Sequence, residues 1–112
     1  MAYQTLTLIP SAARTTSGSA AATVDDLGDT VSVWVSVTAV SGTTPTLDIS
    51  VEWSPDGTTW AASEPADSFT QITAAKNVVK SFTDKAKFYR VVWTIAGTTP
   101  SFTFSILAYE TN

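Results

Sequence analysis

The sequence predicts an all-β protein, an antiparallel β-sandwich of about eight strands, on three observations. Apolar and polar residues alternate with period two over long stretches, and no segment carries a helical period with caps. Turn residues punctuate the chain roughly every eight to twelve positions, the spacing of sandwiches. Charged residues make up 14% of the chain, against roughly 25% in an ordinary soluble domain. Thr and Ser take their place, and β-branched Thr suits a pleated surface. An immunoglobulin-like strand order is the alternative within this class.

The elements follow in order. Tyr3–Ile9 alternates as a first strand. Pro10–Ala22 (PSAARTTSGSAAA) is low in complexity and reads as an extended arm or long loop, its last residues free to pair as an edge strand. Val24–Thr30 reads as a turn. Thr30–Val40 is the clearest strand, with Val31, Val33, Val35 and Val37 on one face and Trp34 on the other. Ser41–Pro45 then turns the chain, and Leu47, Ile49, Val51 and Trp53 alternate with Asp48, Ser50 and Glu52. Ser54-Pro55-Asp56-Gly57 is a strong turn, since Pro presets φ and Gly accepts a positive one. Trp60 falls on a short return strand and Ala61–Ser68, with Pro65 inside it, reads as a loop. Phe69–Thr73, Val78–Phe82, Phe88–Ala96 and Phe102–Tyr109 complete the strands, and Ala74–Lys85 has room for one turn of helix at most.

One repeat stands out. Ser41–Leu47 (SGTTPTL) recurs as Ala96–Phe102 (AGTTPSF), and Leu47, Ile49 and Val51 are answered by Phe102, Phe104 and Ile106. Two similar hairpins, each turning at GTTP, would occupy equivalent places in the fold. Extending the repeat backwards sets Trp34 against Tyr89, although alternation exposes Trp34. A bulge near Thr38–Val40 would reconcile the two. The predicted core is Leu47, Ile49, Val51, Trp53, Val91, Trp93, Phe102, Phe104 and Ile106.

The chain has 112 residues, the size of one domain, with 10–22 as its arm. Its six Lys and Arg are scattered and its net charge is −4, so the basic patch that nucleic-acid or anionic-membrane binding needs is missing. With no Cys and no His, thiolate nucleophiles, imidazole bases, disulfides and Cys/His zinc sites are excluded. Met1–Pro10 lacks the basic and apolar regions of a signal peptide. No run is apolar enough to span a membrane as a helix.

Asp25, Asp26 and Asp29 are the one carboxylate cluster, and their spacing fits turn chemistry better than a calcium loop, so neither metal nor cofactor is expected. Asp48 and Glu52 share a strand face that Arg90 can reach, which reads as a cross-strand ion pair, not an acid–base couple. A Ser or Thr nucleophile would have no His beside it. The expectation is a protein that is not an enzyme. Trp34 and Trp60 are the aromatics placed for exposure, as sugar platforms or as protein-contact anchors. Arg14, Thr15 and Thr16 of the arm join them as candidate interface residues.

Thr46–Trp60 (TLDISVEWSPDGTTW), Phe69-Thr70-Gln71 and Tyr89–Phe104 (YRVVWTIAGTTPSFTF) resemble small virion proteins of tailed bacteriophages, of the head-decoration or minor capsid type. The resemblance rests on strand and turn pattern. It implies a jelly-roll-like sandwich that sits on the major capsid protein and cements the shell, with self-association as a second expectation. It also implies a virion location on the capsid surface, after synthesis in the host cytoplasm. A head–tail connector or tail structural protein is an alternative reading. Ser54–Trp60 is separately similar to a turn of several carbohydrate-binding sandwiches, which keeps a glycan ligand open.

Overall fold

The computed structural model describes residues 3–23 and 30–111. The turn expected at Val24–Thr30 and the Asp25, Asp26, Asp29 cluster therefore lie, but for Thr30, outside the described residues. The described residues form six strands: β1 (Tyr3–Arg14), β2 (Gly18–Thr23), β3 (Thr30–Ser54), β4 (Ala61–Ser68), β5 (Lys76–Thr83) and β6 (Phe88–Thr111). β3 and β6 run antiparallel along their whole length, and each passes from one layer of the sandwich to the other. The first layer has the order β1, second half of β6, first half of β3, β5. The second has β2, first half of β6, second half of β3, β4.

Numbered along the chain as eight segments, the layers read 1-8-3-6 and 2-7-4-5. This is the double-sheet order of a jelly roll, and it sets aside the immunoglobulin-like alternative. The 21 Å short dimension accommodates two sheets about 10 Å apart.

The repeat does not turn the chain back, as its sequence suggested. The two GTTP segments cross each other where β3 and β6 change layers, with Ser41 opposite Ser101 and Thr43 opposite Thr98. Gly42 and Gly97 adopt φ of 112° and 125°, and Thr44 and Thr99 adopt 47° and 45°. A Cβ on Gly42 would meet the Thr99 carbonyl oxygen at 2.7 Å, and one on Gly97 the Thr44 carbonyl oxygen at 2.9 Å. The crossing is reciprocal, and Gly permits it because it lacks a Cβ and tolerates positive φ. The expected bulge is present: pairing with β6 shifts between Val37 and Ala39. That one extra residue lets Val31, Val33, Val35 and Val37 stay buried ahead of the crossing and Leu47, Ile49 and Val51 after it.

Every residue of the predicted core is buried. Val31, Val33, Phe104 and Ile106 from the first sheet face Val51, Tyr89, Val91 and Trp93 from the second, with Trp93 edge-on to Phe104 at 5.8 Å.

Two expectations are corrected. Pro10–Ala22 is not an arm: residues 10–14 continue β1 past two register shifts. Its last residues do pair as an edge strand, with 18–23 forming β2 in unbroken register with β6. Small side chains suit this position, since a Cβ on Gly18 would lie 2.7 Å from the Trp93 ring. Ala61–Ser68 is an edge strand, not a loop; residues 63–66 bulge out between Ala62 and Asp67, carrying Pro65 away from the ladder. Residues 76–83 are strand β5, as the alternation over Val78–Phe82 predicted, and the rest of Ala74–Lys85 holds no helix. Phe69–Thr73 contributes a single bridge, Leu47 to Ile72.

Candidate interaction faces

Each sheet presents one face to the core and one outward. On the first sheet the outward side chains form rows across the strands. Thr7, Leu107, Trp34 and Val79 make the central row, flanked by Thr5, Tyr109, Ser32 and Ser81 on one side and by Ser105, Ser36 and Asn77 on the other. None of these residues is charged. Trp34 and Val79, 44% and 48% exposed, are the exposed large hydrophobics among the described residues, and they are direct cross-strand partners. Ser32 and Ser81 share a 2.7 Å hydrogen bond, and the Ser36 hydroxyl donates to Asn77 Oδ1 at 2.7 Å. Beside Trp34 a shallow groove runs over Ser36, Asn77, Ser105 and Leu107.

The outward face of the second sheet differs. Its rows are Ala21, Arg90, Glu52, Ala62 and Ser19, Val92, Ser50, Ser68. Arg90 Nε donates to Glu52 Oε1 at 2.8 Å and Nη2 lies 2.6 Å from the same oxygen, the ion pair that the strand positions suggested. Asp48 accepts from Gln71 Nε2 at 3.1 Å instead. The Arg90 guanidinium also covers the Trp60 ring at 4.7 Å, a stacked cation that leaves Trp60 half-buried. Trp60 faces a groove with Phe88, Gly57 and residues 21–23 of β2.

Several other charges among the described residues are bound within the fold. Asp56 caps the turn after β3, accepting from the Thr58 and Thr59 amides at 2.9 and 2.8 Å, which together with Ser54 hold its carboxyl far below the ordinary value. Burial pushes the Asp67 carboxyl up, but hydrogen bonds from Lys85 and the Trp53 indole, both 2.8 Å, outweigh it and set it below the ordinary value. Lys80 reaches across to the Ser68 carbonyl at 2.7 Å. Glu110 is buried and accepts from the Tyr89 hydroxyl at 2.8 Å.

Of the sequence-selected residues, Trp34 and Trp60 lie on opposite faces. Arg14 is not a free charge. It donates to the carbonyls of Pro10, Ala12 and Phe104 at 2.7, 3.0 and 2.6 Å and lies over the Phe104 ring, locking the end of β1. Thr15 and Thr16 are exposed in the short β1–β2 link, where the Thr16 carbonyl accepts from Trp93 Nε1 at 3.3 Å. The structure thus leaves Arg14–Thr16, Trp34 and Trp60 at three separate places. Sequence reasoning missed Val79 and Leu107, although period-two alternation with Trp34's neighbours was the signal for both. Among the described residues no group of three or more acidic residues is placed to hold a metal ion, and no helix is long and apolar enough to cross a membrane.

No family model and no curated protein matches the sequence. Solved structures do match in fold. A chain from the structure of infectious bursal disease virus, Gx strain, aligns over 99% of this chain with TM-score 0.53 and 11% identity; the chain spans 32% of that protein's length. The carbohydrate-binding module CBM36, solved with calcium and xylotriose, aligns over 95% of this chain and 98% of its own, with TM-score 0.44 and 10% identity. A family 16 carbohydrate-binding module aligns over 92% of this chain and 73% of its own, with TM-score 0.39 and 15% identity. The class is therefore an all-β antiparallel sandwich, and the virus chain is a fold neighbour.

Proposed function

We propose that the chain is a non-enzymatic structural protein of a virus particle, of the head-decoration type, which binds and stabilises the capsid shell of a tailed phage. The observation that carries this reading is how the outer surface is finished. Among the described residues the outward rows of one sheet have no charge, and the other sheet has its ion pair satisfied internally. Such surfaces suit lasting protein contact, where unpaired charges are costly to cover. The jelly-roll order and the fold likeness to a virus chain support the same reading. Its partner is then the major capsid protein and its location the virion surface, after synthesis in the host cytoplasm; nucleic acid, membrane and cofactor have no part in it.

The experiment is co-sedimentation of purified protein with undecorated shells, followed by thermal stability of the shells. Binding that raises the shell's melting temperature is the expected result. Absence of binding to both compact and expanded shells would end the decoration reading and turn attention to the connector or tail. One observation favours a second reading, binding of a neutral glycan: the exposed Trp34 ring lies beside the Asn77 amide and the Ser36 and Ser105 hydroxyls. A glycan panel read alongside the sedimentation separates the two.

A further inference from the structure

We propose that the outward face of the first sheet is an interface between two copies of this chain, packed face to face about a two-fold axis close to Trp34. This takes up the uncharged face on which the shell-binding reading rests and gives it to a second copy, so the test below reads dimerisation and shell binding separately. Three properties of the face lead there.

The first is charge. The protein carries ten Asp and Glu against six Lys and Arg, so two copies repel on average. The rows around Trp34 hold no charge, and an isologous pairing of this face sets no like charges opposite one another. It also leaves Asp48, Glu52 and Arg90 on the far side of each copy, in water.

The second is the cost of covering it. Ser32 with Ser81 and Ser36 with Asn77 are already hydrogen-bonded across strands, so part of their polar capacity is satisfied before any partner arrives. Trp34 and Val79 supply the apolar gain. Trp34 stands on an inner strand, midway along the first half of β3, and an exposed Trp near the middle of a patch is the usual form of a contact hot spot.

The third is area. Four strands about 4.8 Å apart, each some 27 Å long, give roughly 500 Å² per copy and about 1,000 Å² for the pair. That reaches the ~1,000 Å² a specific contact needs and stays below the standard 1,200–2,000 Å². The face is thus large enough for a specific contact, and the concentration series below measures how tight that contact is.

Sedimentation velocity over a concentration series tests this. The wild-type protein should move from 11.8 kDa toward twice that mass. Raising NaCl from about 50 to 500 mM should leave association intact or strengthen it, because salt screens the repulsion between two copies of net charge −4 and the face has no ion pair to break. Trp34→Asp should weaken association at least about 30-fold, with Val79→Lys on the edge strand as a second variant that leaves the core alone. Thr94→Lys, on the outward face of the second sheet, should change nothing. A monomer up to about 1 mM overturns the proposal, as does a dimer that survives both Trp34→Asp and Val79→Lys or yields to Thr94→Lys. If the protein stays monomeric while Trp34→Asp abolishes binding to shells, the face belongs to the shell protein and the dimer is refuted.

Discussion

The two outer faces are made from the same pair of long strands, yet among the described residues one has no charge in its outward rows and the other carries Asp48, Glu52 and Arg90. β3 and β6 each contribute one half to each face, so strand propensity does not explain the contrast. What differs is the composition at outward positions on either side of the GTTP crossing. Before it, β3 places Ser32, Trp34 and Ser36 outward; after it, Asp48, Ser50 and Glu52. In β6 the order is inverted, with Arg90 and Val92 before the crossing and Ser105 and Leu107 after it. The crossing thus sorts two chemistries of one strand onto two surfaces. A wet face tolerates an ion pair at little gain or loss, whereas a face to be covered is best without one.

The largest effect tests whether the faces share one core. Phe104→Ala behind the first sheet and Trp93→Ala behind the second should each cost about 3–5 kcal/mol in chemical denaturation. Each variant should unfold in a single transition. Two transitions would mean that the layers are separate cooperative units and that the faces can be lost independently.

Next comes the crossing. Gly42→Ala and Gly97→Ala each force a Cβ onto partner backbone at a positive φ, for an expected loss of about 2–3 kcal/mol apiece. Their geometry is reciprocal, so the two costs should agree within about 0.5 kcal/mol. A marked inequality would show that one layer change is looser than the other.

Acid should separate the sheets. Asp56 and Asp67, both held below the ordinary value of 3.8, lie at the β3–β4 end of the second sheet. A depressed carboxyl adds stability above its unfolded pKa, and that contribution is lost as pH falls through the folded one. β4 amides should therefore exchange faster relative to β5 amides as pH drops below about 4, after correction for intrinsic exchange rates. Equal change in both strands would remove this distinction.

Much of this was legible in the sequence, and the parts that were not have a common cause. The β3 and β6 cores and the exposure of Trp34 follow from alternation alone, because large apolar side chains mark every second position. Residues 10–14 escaped that reading, and β2 was legible only as an edge strand that the end of the arm was free to form: Gly, Ala and Ser pair through backbone and leave no alternating pattern. Ala61–Ser68 looked like a loop because edge strands tolerate the Pro, Glu and Asp that inner strands exclude. GTTP was visible as a repeat, but its role depends on the other copy, 55 positions away along the chain. The Arg14 clamp and the Arg90–Trp60 stack likewise join residues that no local pattern connects.

Smallest is the effect of Trp34→Ala on the folded monomer. The ring lies outside the core, so stability should change by no more than about 0.5 kcal/mol. A loss above about 2 kcal/mol would make Trp34 part of the fold and not a contact residue.

The central claim, that the uncharged face is covered on assembly while the charged one stays wet, is tested most directly by oxidative footprinting of the Trp side chains. The protein is labelled in dilute solution and again when concentrated, and each Trp is quantified by peptide mass. Trp34 should react readily when dilute and become protected when concentrated, while Trp60 changes little and buried Trp53 and Trp93 react slowly throughout. Equal reactivity of Trp34 in both conditions, or protection that falls on Trp60 instead, would contradict the account.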